Sequence, residues 1–255
     1  MTVHQVVTLG AAAAGAGMVN SVAGGGTLIT FPTLLLAGVS PITANATSTL
    51  ALFFGTIGSI TGYRKHLVPA WPWFKRFGPV SAVGGVLGGL LLTRSGDEVF
   101  AHLAPFLILF ATVLFVLQGL IAKHVKPSAN ANPSRKALWG ALAFQFFVAL
   151  YGGYFGAGIG ILMLATLGLL GLRDIHEMNT LKTLLATLIN LVASVWFVAN
   201  GLVDWPRAVV MTVGATAGYY VGAHFAQRIP RQRVRRLITA IGFGISALMF
   251  YRQFR

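Results

Sequence analysis

Asn20-Ser21-Val22-Ala23-Gly24-Gly25-Gly26-Thr27, followed by Phe31-Pro32, sets three consecutive glycines between two long apolar stretches. In a soluble domain such a run would be an ordinary loop. Here it falls where a lipid-embedded helix should continue, and a relative of it returns as Gly156-Ala157-Gly158-Ile159-Gly160. The reading of these two breaks decides the fold.

Composition supplies the setting. The chain has 255 residues, 56% hydrophobic and only 9% charged, with no cysteine. Soluble domains carry about 25% charged residues, so this chain could not cover its own surface against water and reads as a polytopic membrane protein. The missing cysteine excludes disulfides, thiolate metal sites and cysteine nucleophiles. A net charge of +14 could suggest nucleic acid. Its placement in a few short segments between apolar spans instead follows the positive-inside rule, with anionic lipid heads as a further contact. Met1-Thr2-Val3-His4 lacks the basic start of a cleavable signal peptide.

From the first break the chain reads outward. Val6–Val22 is the first apolar run, and Thr27–Gly38 is too short to span, since spanning needs about 20 residues. Gly38-Val39-Ser40-Pro41 is a turn that places Pro41 at the first position of a helix over Ile42–Gly62. A basic loop with Arg64, Lys65, His66, Lys75 and Arg76 comes next. The span Phe77–Thr93 carries Gly84, Gly85, Gly88 and Gly89 in small-xxx-small spacing, which permits close helix approach. A short loop with Asp97 and Glu98 precedes the span Val99–Ile121. Residues 122–136, polar and basic, form the midpoint linker between halves 1–121 and 137–255.

The second half repeats the first. A shift of 134 residues carries Gly24 and Gly26 onto Gly158 and Gly160, Asn45 onto Asn179, and Thr49 onto Thr183. The same register superposes Trp71-Pro72 on Trp205-Pro206, Gly84 and Gly88 on Gly218 and Gly222, and Arg94 on Arg228. Three full crossings per half, plus a first pair that either enters and returns or crosses twice, make an odd total. The second half is then inverted relative to the first. Basic residues are dense at 64–76, 123–136 and 228–236, which puts those segments in the cytoplasm and both termini outside. Arg252 and Arg255 count against that placement. The expected fold is an all-α membrane protein of two inverted repeats, each with a broken or re-entrant hairpin plus three transmembrane helices.

Backbone groups freed inside a bilayer must be satisfied by protein, water or ligand. Two breaks from inverted halves would meet near the midplane, where secondary transporters bind substrate. A helix N-terminus there offers N–H groups and positive dipole to an anion, and Gly24, Gly25, Gly26, Thr27, Gly158 and Gly160 let backbone approach it. The bland alternative is that these glycines only allow close packing. Asp174 and Glu177 suit the N-terminus of the helix Asp174–Ala199. Lys182 lies two turns inside it, at the place of Ser48. It either meets an anion or reaches back to Glu177 or Asp174. Asn45, Thr47, Ser48, Thr49, Asn179 and Thr183 could bond an anion's oxygens or a neighbouring helix. Asn20 and Asn190 are weaker candidates, and His224 could titrate near neutral pH or serve as a packing partner.

No Gly-x-Ser-x-Gly, His-Glu-x-x-His, P-loop lysine or pair of buried carboxylates is present, so no enzyme or cofactor is expected. The expected partners are a small anion and the lipid bilayer, not nucleic acid; a homodimer is left open.

The run Asn20–Thr27, then Phe31-Pro32 and Gly38-Val39-Ser40-Pro41-x-x-Ala44-Asn45-Ala46-Thr47-Ser48, resembles the TauE/SafE family of bacterial and archaeal permeases. The resemblance spans essentially the whole chain. It implies an inner-membrane permease for small sulfur-containing anions such as sulfite, sulfoacetate or another organosulfonate, and the family name implies export. Thr166 in place of Pro32 and Lys182 in place of Ser48 depart from the first motif. Uptake of another small anion is the alternative within transport, and a non-transporting scaffold the alternative outside it.

Overall fold

A computed structural model of the chain describes residues 1–22, 25–62, 67–124, 134–170, 172, 174–225 and 231–253. Among these it is all helix and connecting turn: α1 Val3–Val22, α2 Thr27–Leu36, α3 Pro41–Gly62, α4 Leu67–His124, α5 Arg135–Tyr154, α6 Ile159–Leu169, α7 Ile175–Ala199, α8 Trp205–Phe225 and α9 Arg231–Gln253. The short pieces α2 and α6, of 10 and 11 residues, follow the two glycine breaks. Pro41 opens α3, where its fixed φ and missing N–H cost nothing.

α4 is two helices in one run. As a straight rod its 58 residues would reach about 87 Å, nearly three times the hydrocarbon thickness. Gly96, at φ 77° and ψ 160°, breaks it. The limb 97–124 then returns along the limb 67–95. Tyr154 of α5 touches both Ser95 and Phe100, while Tyr151, one turn earlier, meets Phe110 edge-to-face at 5.5 Å. A chain continuing straight would have carried Phe110 about 20 Å beyond Ser95. The expected loop around Asp97 and Glu98 thus contracts to a single glycine, since without a Cβ the reversal needs no further residue. Asp97 opens the returning limb, and its Oδ1 accepts from Ile42 N at 2.8 Å.

The expected basic loop is also corrected. Residues 67–76 are helical, so Lys75 and Arg76 sit on the first limb rather than before it. Lysine and arginine are good helix formers. Trp71 stacks on Phe74 at 5.4 Å, and the Arg76 guanidinium lies 5.4 Å from the Trp73 ring. Arg64, Lys65 and His66 lie outside the described residues, as does most of the 122–136 linker.

Among the described residues, Leu67–Leu117, Arg135–Tyr154 and His176–Ala199 are the helices both long and apolar enough to cross a membrane. α1, α3, α8 and α9, with 20 to 23 residues, are each long enough for about 30 Å. The protein is a polytopic, all-helical membrane protein.

Close helix contacts carry the packing. On α5, Phe146, Leu150 and Tyr154 meet Gly84 and Gly88 in ascending order; on α1, Gly10, Ala14 and Met18 meet Gly214, Gly218 and Gly222 likewise. A Cβ on Gly88 would collide with the carbonyl oxygen of Leu150, and one on Gly218 with that of Ala14. The glycines correspond under the 134-residue shift, and the residues they meet on α5 and α1 fall within about half a turn of correspondence, so the limb 67–95 packs on α5 much as α8 packs on α1. A cluster of Phe31, Phe100, Tyr154 and Phe155, with ring centroids 5.5 to 6.3 Å apart, anchors α2 between the returning limb and α5. All four are buried. Edge-to-face contacts of this kind add about 0.5–1.5 kcal/mol per pair beyond area burial.

Candidate functional site

The first break is locked by its own chain. Gly25 stands at φ +91°, where an L side chain is strained. A Cβ there would also strike the ring of the buried Phe115. Asn20 Oδ1 accepts from Gly26 N at 2.7 Å, and Leu28 N donates to Gly25 O at 3.0 Å. The Gly26 amide, expected to face an anion, is therefore already taken by Asn20. That is why an asparagine one turn before the break is useful: its short amide caps a donor the broken helix cannot. Thr27 begins α2, half-buried, and Gly24 lies outside the described residues.

The second break is built differently. Gly156 and Gly158 stand at φ +82° and +81°, and Tyr151 donates its hydroxyl proton to Ala157 O at 2.9 Å. A Cβ at Gly158 would find Leu114 and Ala111 at ordinary distances of 3.6–3.8 Å. The first internal bond of α6 runs from Ile161 N to Gly158 O, so the N–H groups of Ile159 and Gly160 precede it and point out of the helix end. Lys182 lies along that end: its Cδ would be 3.2 Å from a Cβ on Gly160. Its Nζ donates to Asn179 Oδ1 at 3.3 Å. A positive helix terminus, an ammonium and a glycine that leaves room for it are thus assembled at one place.

Both breaks rest on the same stretch of the returning limb, Gly25 on Phe115 and Gly158 on Ala111 and Leu114. The limb 97–124 is about 42 Å long. Its residues 111–115 lie within about 7 Å of its midpoint. No sequence pattern marks Phe115 among 18 phenylalanines. Tyr151 and Tyr154, which bracket Gly152-Gly153 just before the break, were a visible signal for the second site.

Most of the other expected residues lie on α3 and α7. Thr49 donates to Asn45 O and Thr183 to Asn179 O, both at 2.8 Å, the same bond at positions 134 residues apart. Ser48 pairs with Thr30 of α2 at 2.6 Å, fully buried. Thr47 Oγ1 accepts from Asp204 N at 3.0 Å and so satisfies the start of α8. Asp204 forms an ion pair with Arg207. Asn45 Nδ2 donates to Tyr154 O at 3.1 Å. Asn190 is half-buried, and the His224 side chain lies outside the described residues. Among the described residues no group of three or more His, Cys, Asp or Glu is placed to hold a metal. A cavity of about 360 Å³ lies elsewhere, between Pro32, Leu35 and Leu36, His102 and the end of α9 at Arg252.

The profile of the sulfite exporter TauE/SafE family matches residues 9–249. The chain belongs to that family. TauE/SafE relatives include a probable membrane transporter protein of Haemophilus influenzae, 29% identical over 93% of this chain and 91% of its own length. The probable membrane transporter protein YfcA of Escherichia coli K12 is 28% identical over 92% of this chain and 86% of its own. YunE of Bacillus subtilis, also named a probable membrane transporter protein, is 24% identical over 92% and 94%. No solved structure matches the chain. The chain is a TauE/SafE membrane transporter rather than an enzyme.

Proposed function

We propose that the protein moves a small sulfur-containing anion, sulfite, sulfoacetate or another organosulfonate, out across the cytoplasmic membrane by alternating access. The single observation that carries this reading is the convergence of both glycine breaks on residues 111–115, with Lys182 lying along the N-terminus of α6. A midplane site of this make-up favours one sign of charge. The α6 N-terminus and an ammonium attract an anion, and neutral hydroxyls and amides can bond its oxygens.

Helix directions support the inverted arrangement. α1 and α8 run together, as do α5 and the limb 67–95. The bond from Ile42 N to Asp97 sets the start of α3 beside the end of that limb, so α3 and the limb run oppositely. Thr47 meets Asp204 and Gly55 meets Tyr219, so α3 runs with α8. The first helices of the two repeats, α1 and α5, therefore oppose each other, as halves 1–121 and 137–255 would in inverted topology. With the linker 122–136 cytoplasmic, both termini face out.

Counterflow in proteoliposomes tests the reading. Labelled sulfite, sulfoacetate, sulfate and acetate are offered with and without a pH gradient. Flux of the sulfur anions well above acetate is expected, and Lys182→Met should raise the half-saturating concentration at least tenfold while Lys182→Arg does not. Preference for acetate would replace the substrate class with another small anion. No flux of any anion would remove the transport reading.

A further inference from the structure

We propose that the first half holds a monovalent cation at the side-chain oxygen of Asn45, in the position that the Lys182 ammonium fills in the second half. The inference deepens the transport reading and rests on it for its purpose, though not for its test.

The observation is a buried acceptor. Asn45 is 1% exposed, and no hydrogen-bond donor among the described residues reaches its Oδ1. Its orientation is fixed, because Nδ2 must face Tyr154 O, which can only accept. Buried acceptors in native proteins are nearly always satisfied, so this oxygen points to a ligand that brings positive charge or a proton.

The repeat says which. Asn45 corresponds to Asn179, and each asparagine's carbonyl accepts the hydroxyl of the threonine four residues on at 2.8 Å. At the next step the halves part. Asn179 Oδ1 accepts from the ammonium of Lys182, three residues on. Three residues on from Asn45 stands Ser48, whose hydroxyl is engaged with Thr30 at 2.6 Å. One half therefore supplies a tethered unit charge to its asparagine, and the other leaves the matching oxygen for a charge that is not tethered. The free group is an amide carbonyl oxygen, a hard, neutral donor of the kind that coordinates alkali cations. No carboxylate among the described side chains hydrogen-bonds to Asn45 or Ser48, which disfavours a divalent ion.

The arrangement has a transport consequence. An anion held by Lys182 and by a cation bound at Asn45, whose amide reaches Tyr154 O at the end of α5, would be neutralised by two separate charges. The cation then favours the anion-bound state, and by reciprocity the anion favours the cation.

Thermal unfolding of the purified full-length protein in detergent tests this without any flux. NaCl, KCl and choline chloride are compared at equal chloride concentration. A ligand that binds only the folded state raises its stability logarithmically with concentration. We expect one alkali cation to raise the midpoint by about 3 °C over choline at ten times its half-saturating concentration. Ser48→Lys, which tethers an ammonium to the first half, should abolish that rise. Asn45→Asp, which keeps the oxygen and adds charge while giving up the bond to Tyr154 O, should lower the half-saturating concentration several-fold. Equal midpoints in all three salts would overturn the proposal and leave the anion site standing. A rise that persists unchanged in Ser48→Lys, or an unchanged half-saturation in Asn45→Asp, would place the cation elsewhere and overturn it too.

Discussion

Replacing Gly25 by alanine separates the two demands made on the first break. The backbone at φ +91° costs a non-glycine residue about 1–2 kcal/mol. The added methyl also meets the Phe115 ring, whose next nearest atom, Cε2, would be 2.6 Å away. Phe115 is fully buried, and forcing extra volume into a packed site costs about 1–3 kcal/mol. Gly25→Ala should therefore lose about 2–5 kcal/mol. Gly158→Ala is the internal comparison: its φ of +81° is equally strained, but its nearest neighbours would be 3.6 Å away. It should lose only about 1–2 kcal/mol. Denaturant titration of reconstituted protein, monitored by tryptophan fluorescence, measures both. The steric share is isolated by adding Phe115→Leu, whose smaller side chain should recover about 1–3 kcal/mol of the Gly25→Ala loss in a double-mutant cycle. Equal losses for the two glycines, or additivity of Gly25→Ala with Phe115→Leu, would refute the placement of the first break on Phe115.

Three further outcomes follow from single contacts. Gly88→Ala, which drives a methyl into Leu150 O, should destabilise the protein by about 1–3 kcal/mol, whereas Gly140→Ala, with nothing within 4 Å, should not, as thermal midpoints in detergent would report. Thr47→Val removes the acceptor for Asp204 N and should cost about 1–2 kcal/mol in the same measurement. Asn20→Leu strands the Gly26 amide and should speed hydrogen exchange at the start of α2, leaving α6 unchanged.

The breaks were legible because they depend on residue types that little else explains. Consecutive glycines interrupting an apolar run, and Trp-Pro, Asn and Arg returning at one shift, leave few readings. Helix lengths were legible for the same reason, since about 20 apolar residues fit one crossing. The reversal at Gly96 hid inside Ser95-Gly96-Asp97, which reads as an ordinary loop until one residue is found to suffice. The helix over 67–76 hid behind its charge, which composition assigns to a loop. The polar contacts were least legible. Asn20 serves the first break and Tyr151 the second, although they do not correspond under the shift, because either an amide or a phenol can close a broken helix. Ser48 and Lys182 do correspond, yet one bonds Thr30 and the other Asn179. Side-chain pairing depends on which helix face approaches, and no periodicity in the sequence reports that.

The chain contains no cysteine, so a single introduced one can be modified cleanly. The most direct measurement is anion counterflow by Lys182→Cys before and after treatment with aminoethyl or sulfonatoethyl methanethiosulfonate. If an ammonium beside the α6 N-terminus attracts the substrate, the unmodified variant transports weakly, the aminoethyl adduct recovers most of the flux, and the sulfonatoethyl adduct recovers none. Transport by unmodified Lys182→Cys at the wild-type rate, or equal recovery with either reagent, would contradict an anion site at the two breaks.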